Sequence, residues 1–293
     1  TSIHQLYINI MKGKYEEMEQ QTTHRALPSV ERPWLKYYRK QQIAEPLPTG
    51  SLYELLIENN SNHPDDIAIH YLGKSITYGE MINHIEQCAK AFTAIGVRRG
   101  DIVTVAMPNT PEMVYASYAL NRIGAIINII HPLAGEEETC RHINEVESRI
   151  VLMFTGTYAF MKNALHKTTA QTAIVASPAQ SLSPAARAIY NLKNIRHRIS
   201  SGDNTLSWHH FMALGCGVAL PEPCRAPGDH AIISHTGGTT GTAKGVVCTN
   251  LNFASLGQQM LSGRGSQRQD GTMILLPPFI NYSYTPLFDA FTQ

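Results

Sequence analysis

Residues 101–130 read DIVTVAMPNTPEMVYASYALNRIGAIINII, and the reading of this stretch decides the fold. Asp101 leads into an apolar run, Ile102 to Met107, which reads as a strand. Thr110 suits a helix N-cap, where its hydroxyl accepts from an orphan amide. Pro111 suits the first helical position, where a missing N–H is no loss. The helix runs to about Ile123, and Gly124 releases the chain into a second strand, Ala125 to Ile130. Met113 to Ile130 is the most apolar long stretch of the chain, yet Asn121, Arg122, Gly124 and Asn128 interrupt it. A membrane span would not tolerate those four cheaply, so a buried helix followed by a buried strand fits better.

The same alternation extends outward. Downstream, Glu137 to Val146 reads as helix, and Arg149 to Phe154 and Thr172 to Ala176 as strands. Upstream, Ser51 to Asn60 reads as helix, and Ile67–Tyr71 and Ser75–Thr77 as two short strands turning at Gly73. Thr77 and Glu80 form a capping-box pattern. Met81, Ile85, Cys88, Phe92 and Ile95 then recur at helical spacing on one face, and Gly96 is placed to end the helix. Repeated strand–helix units with apolar strands imply an α/β fold: a mainly parallel sheet flanked by helices on both faces.

The remaining segments are less regular. Pro184 to Ile199 reads as a basic surface helix carrying Arg187, Lys193, Arg196 and Arg198. Either it is a solvated face, or its charge attracts an anionic membrane or the phosphates of CoA. Ser207 to Leu214 reads as a short helix. Pro221 to Gly228 is linker-like and suggests an edge between subdomains. Thr285 to Gln293 reads as a helix that is cut off. The organisation expected is an N-terminal extension over 1–50, a first α/β subdomain over 51–227, and the truncated start of a second over 228–293.

Composition narrows the function classes. The 293 residues are 43% hydrophobic and 16% charged, enough apolar material for a packed core. Formal net charge is +1, from 24 basic and 23 acidic side chains. That balance argues against a nucleic-acid binder held by a general basic surface. Five cysteines, with no CxxC pair, read as free thiols in a reducing compartment, and cytoplasmic is the location expected. His209, His210, Cys216 and Cys224 lie near each other in sequence but match no zinc spacing. No secretory signal and no internal repeat is visible.

One segment carries most of the chemistry. His230-Ala231-Ile232-Ile233-Ser234-His235 reads as a buried strand. It runs into Thr236-Gly237-Gly238-Thr239-Thr240-Gly241-Thr242-Ala243-Lys244-Gly245, and Val246-Val247 leads out. Glycines let backbone amides approach a ligand with no Cβ in the way. Successive amides in such a turn form a concave nest for an anion. Threonine hydroxyls add donors and Lys244 a compact positive charge, a set suited to a polyphosphate. The Walker pattern fails, because Ala243 precedes Lys244 and Gly245 follows it. Neither a dinucleotide fingerprint after an early strand nor a GxSxG elbow is present.

Thr236 to Gly245 resembles the signature loop of the adenylate-forming enzymes, which include acyl-CoA synthetases, luciferases and peptide-synthetase adenylation domains. The resemblance extends upstream to Ile76-Thr77-Tyr78-Gly79-Glu80, Gly96 to Asp101, Pro108 to Glu112, and Gly124-Ala125 through His131-Pro132. It covers roughly residues 51 to 293. Gly237 and Ala243 stand where many members have Ser and Pro. The form TGGTTGxAKG is similar to that of bacterial long-chain fatty acid ligases, which points to an acyl-CoA ligase for a fatty or related carboxylate.

The resemblance implies the incomplete N-terminal domain of such a ligase, with flavodoxin-like sheets. It implies a two-step reaction using ATP, Mg and CoA: carboxylate attack on the α-phosphate to give an acyl-adenylate, then displacement of AMP by a thiol. It assigns phosphate contacts to Thr236, Gly237, Gly238, Thr239, Thr240, Gly241 and Lys244, and a share in holding Mg to Thr236. In Leu275 to Ser283 the family often carries a His after the proline, and here Ile280 or Asn281 stands instead. Asn281 and Tyr282 either line the acyl pocket or simply pack. The family's adenine-, ribose- and Mg-binding residues, hinge and adenylation Lys lie beyond Gln293. No catalytic residue is therefore expected in this chain, the C-terminal domain is expected to be absent, and the chain alone is expected to be inactive. Partners expected are a carboxylic acid, with a fatty acid favoured, and neither nucleic acid nor a transmembrane segment, with room left for peripheral membrane contact. An adenylating enzyme that loads a carrier-protein thiol, and a non-catalytic nucleotide-binding protein, remain open as alternatives.

Overall fold

The computed structural model describes residues 28–38, 46–193, 204–223, 226–236, 243–264 and 271–291. The chain divides into two compact units, Thr1–Pro46 and Leu47–Gln293. In the first, a short helix (α1, Pro28–Glu31) precedes a 3-10 turn, Pro33–Tyr37.

The second unit opens with α2 (Leu52–Asn60), where Ser51 and Glu54 make a reciprocal capping box. The strands β1 (Ile67–Tyr71) and β2 (Lys74–Thr77) pair antiparallel through a turn with Leu72 and Gly73 both at positive φ. Then α3 (Tyr78–Ala94) starts with the Thr77–Glu80 box read from sequence. Its face of Met81, Ile85, Cys88 and Phe92 is fully buried. Gly96, at φ 94, turns the chain out in the left-handed region that suits glycine.

Among the described residues, seven strands follow in one sheet, ordered β7-β6-β5-β3-β4-β8-β9. β3 (Ile102–Ala106) lies at the centre, parallel to β4 (Ile126–Ile129) on one side and β5 (Ile150–Phe154) on the other. β6 (Thr172–Ala176) and β7 (Thr205–Ser207) continue beyond β5, both parallel. β8 (His230–His235) joins β4 in parallel, and β9 (Gly245–Thr249) pairs antiparallel with β8. The residues after the Pro221–Gly228 run therefore extend the same sheet.

Helices α4 (Pro111–Arg122), α5 (Glu136–Asn144), α6 (Thr155–Leu165), α7 (Pro184–Lys193), α8 (Trp208–Leu214), α9 (Asn250–Arg264) and α10 (Asn281–Phe291) complete the unit. α4 is buried on every side, and its polar residues Glu112, Ser117, Asn121 and Arg122 are hydrogen-bonded there. The larger core packs α2, α3, α4, α8 and α10 on one face of the sheet. A smaller core of Ile143, Val151, Met153, Met161, Ala173 and Val175 covers the opposite face beneath α5 and α6. One buried polar cluster is closely matched: Arg122 donates to Glu86 at 2.8 Å and to the Pro221 carbonyl at 2.8 Å, and the Tyr53 hydroxyl also bonds Glu86.

Some elements differ from the expectation or go beyond it. The α6 helix and the three-residue strand β7 had no counterpart in the sequence reading. α10 begins at Asn281, a turn ahead of Thr285. The basic helix is seen as far as Lys193, and Asn194 to Ser200 fall outside the described residues. Among the described residues Cys88, Cys140, Cys216 and Cys248 are free, no group of side chains could hold a metal ion, and no helix is long and apolar enough to cross a membrane.

Candidate nucleotide-binding site

The carboxyl ends of β3, β4 and β8 lie at one edge of the sheet, where open α/β folds place ligands. Ala231 to Ser234 of β8 are buried, and the strand emerges at half-buried His235 and exposed Thr236. The β8–β9 hairpin closes just past that point. The Thr236 N–H donates to the Lys244 carbonyl at 3.0 Å. The Lys244 N–H in turn donates to Thr236 Oγ1 at 3.1 Å. The next pair inward is His235 opposite Gly245. Thr236 and Lys244 thus form the neck of the glycine–threonine loop, and both are exposed. Gly237, Gly238, Thr239, Thr240 and Gly241 lie outside the described residues.

A buried polar chain stands directly behind the neck. Asn128 of β4 donates through Nδ2 to Thr104 Oγ1 at 3.0 Å and to the His142 carbonyl at 3.2 Å. A carbonyl only accepts, so the amide orientation is fixed and Asn128 Oδ1 faces His235 Nε2 at 2.8 Å. His235 must therefore carry its proton on Nε2, leaving a lone pair on Nδ1. That Nδ1 is buried and has no partner among the described residues. The His235 ring stacks on His142 with centroids 3.7 Å apart and planes 12° off parallel. Burial holds the His142 pKa down at about 4, helped by Arg141. Burial, then the facing His142, holds His235 at about 4. Both rings are accordingly neutral at physiological pH. Sequence reading passed over this pair. The signal available was a polar Asn128 and Thr104 inside otherwise apolar strands, and a histidine immediately before the loop.

The segment 271–280 borders the same edge. Asn109, in the turn after β3, donates through Nδ2 to the Leu276 carbonyl at 2.8 Å. The His131 ring, just past β4, lies over Phe279 at 3.9 Å between centroids. Ser283 Oγ donates to the Pro277 carbonyl at 2.7 Å and pins the start of α10. Asn281 and Tyr282 open that helix, and their side chains are outside the described set. Glu112, in the first turn of α4, is 2% exposed. It accepts from Ser181 Oγ at 2.6 Å, and burial raises its pKa.

The sheet thus carries at its carboxyl edge the Thr236–Lys244 neck, in the arrangement of an α/β protein with its candidate site beyond the strand ends. The model of the AMP-binding enzyme family matches residues 56–292, and the chain belongs to that family. It is 28% identical over 230 residues to the long-chain-fatty-acid–CoA ligase of Bacillus subtilis strain 168, which covers 76% of this chain and 41% of the relative. It is 27% identical over 200 residues to the acetyl-coenzyme A synthetase of Streptomyces avermitilis, covering 66% of this chain and 29% of that one. The chain thus spans less than half the length of these relatives. Among solved structures it resembles an anthranilate CoA ligase in complex with anthranoyl-AMP, with a TM-score of 0.69 at 17% identity over 84% of this chain and 44% of the other. A long-chain-fatty-acid–CoA ligase from Archaeoglobus fulgidus gives 0.67 at 22%, over 85% and 46%. These similarities support the flavodoxin-like α/β domain expected of an adenylate-forming ligase.

Proposed function

We propose that the protein to which this chain belongs activates a carboxylic acid with ATP and passes the acyl group to CoA, and that this chain supplies the grip on the departing phosphates. The observation that carries the reading is the Thr236–Lys244 neck at the carboxyl end of β8, in a chain of the AMP-binding family. Lys244 and the loop residues Gly237, Gly238, Thr239, Thr240 and Gly241, with Thr236, bind the β- and γ-phosphates. Donors already fixed at a strand end need no reorganisation as charge builds on pyrophosphate.

Magnesium takes few protein ligands, relying on phosphate oxygens and water for the rest. Thr236 fits that role, because its exposed hydroxyl accepts one bond from Lys244 and retains a second lone pair. Bound there, the ion neutralises phosphate charge. The chain's own part is to hold the hydroxyl in place. A fatty acid is the proposed substrate, on the TGGTTGxAKG form of the loop and the two fatty-acid ligases named above. Asn281 and Tyr282 are proposed to line its site, at the start of α10 where Ser283 and Pro277 pin the helix.

The test is carboxylate-dependent ATP–pyrophosphate exchange by the gene product containing this chain, run with short, long and aromatic acids. Exchange that disappears in Lys244→Ala and Gly238→Val supports the reading and names the acid. A folded protein that exchanges with no acid overturns it.

A further inference from the structure

The helix α7 carries an apolar stripe on its outer side. Ala185, Ala188, Ile189 and Leu192 recur at i, i+3, i+4 and i+7, which places them on one face of a helix. All four are exposed, Ile189 at 59% and Leu192 at 75%. The half-buried positions are Ala186 and Tyr190, on the other side. The helix is anchored from below. Arg187 donates through Nε to the Ala179 carbonyl at 3.0 Å, and through Nη2 to the carbonyl of Gln180. An amphipathic helix normally buries its apolar stripe, and this one is clamped with the stripe facing solvent.

The charge along this stretch of the sequence is one-sided. The chain as a whole balances 24 basic against 23 acidic residues. Yet no Asp or Glu occurs between Glu147 and Asp203, while seven Lys and Arg do. Four of those seven, Arg187, Lys193, Arg196 and Arg198, lie on α7 or within five residues of its end.

We infer that α7 is a membrane-surface helix that lies in the plane of an anionic lipid bilayer, with Ile189 and Leu192 inserted among the acyl chains. A short exposed apolar stripe in a stretch of sequence that is basic and free of acids is the pattern of an interfacial helix, with each Lys or Arg near an anionic leaflet strengthening attachment about fivefold. A second copy of the chain fits worse. A ten-residue helix is about 15 Å long, and one face of it falls short of the roughly 800 Å² per partner of a stable interface. Pairing two such faces would also set basic regions against each other. The inference does not depend on the reaction proposed above.

The experiment is flotation of the full 293-residue chain with vesicles of phosphatidylcholine alone or with 30% phosphatidylglycerol, beside the double variant Ile189→Asp, Leu192→Asp. Both positions are exposed, so the variant should keep the melting temperature of the parent. Expected are binding to the anionic vesicles that falls at least tenfold between about 0.05 and 0.5 M salt, little binding to the neutral ones, and loss in the double variant. Absence of binding to anionic vesicles, or equal binding by the variant, overturns the inference. So does a chain that dimerises in solution through these residues and ignores vesicles.

Discussion

Thr236 and Lys244 each bond the other across the mouth of the loop, Lys244 N–H to Thr236 Oγ1 at 3.1 Å and Thr236 N–H to the Lys244 carbonyl at 3.0 Å. The threonine is required for a hydroxyl that its own partner uses, as well as for any ligand. Thr236→Val keeps the shape and removes the acceptor. A bond of this kind is worth about 1 kcal/mol, so pyrophosphate or Mg-ATP binding should weaken roughly fivefold, while Thr236→Ser stays within about twofold. Isothermal titration of the three proteins checks it. Equal affinity of the valine variant would remove the neck from the binding machinery.

The His142–His235 stack should make the fold acid-sensitive. Unfolded imidazoles take up protons near pH 6.5 and the folded ones near 4. Between those values the unfolded state binds more protons, so stability falls as pH drops, by up to about 1.4 kcal/mol per pH unit per ring. Replacing His142 by Phe keeps a ring in the stack and removes one titrating group. Urea midpoints at pH 7.5 and 5.0 should lie closer together in His142→Phe than in the parent.

Glu112 works in the opposite sense. Its folded pKa is raised by burial from the ordinary 4.5. The unfolded carboxyl therefore ionises first, and this group's contribution to stability is lost as pH climbs from 4.5 through the folded value. Glu112→Gln retains an acceptor for Ser181 and cannot ionise. The variant should gain stability over the parent at pH 8 and lose that advantage at pH 4. Denaturation at the two pH values distinguishes this from a pH-independent shift.

Gly215 marks where α8 approaches α3. A Cβ there would stand 2.7 Å from the Ala91 amide nitrogen and 2.9 Å from the Gln87 carbonyl oxygen. Backbone cannot swing aside as a side chain does, so Gly215→Ala should cost about 1–3 kcal/mol. The Phe92–Phe211 contact, 4.8 Å between ring centroids, would loosen with it. A thermal shift of several degrees on unfolding reads this out.

The local signals in the sequence were strong where chemistry is local. The Thr77–Glu80 box, the Thr110–Pro111 helix start and the strand Thr172–Ala176 were all legible, because caps and periodicity act over a few residues. α6 escaped because no side-chain cap marks its start. Phe154 is the N-cap residue and makes no side-chain bond. β7 escaped because three half-buried residues carry no periodicity, and only pairing with β6 defines them. The buried strand His230–His235 that leads into the loop was legible from its apolar run. The polar chain behind it was not, since Thr104, Asn128, His142 and His235 come from separate elements that only the folded sheet brings together.

β4 acquires its second neighbour late. Ile127 pairs with Ile232, roughly a hundred residues further along the chain. On a ribosome adding about 5–20 residues per second, β3, β4, β5 and β6 emerge and can pair while one side of β4 waits some 5–20 s for β8. Through that interval the nascent sheet presents Ile127 and Ile129 beside an unmatched row of backbone amides and carbonyls. Birth of the protein, rather than its finished state, is therefore where a chaperone has the most to protect, and the strand that ends the exposure is the one that leads into the Thr236–Lys244 neck.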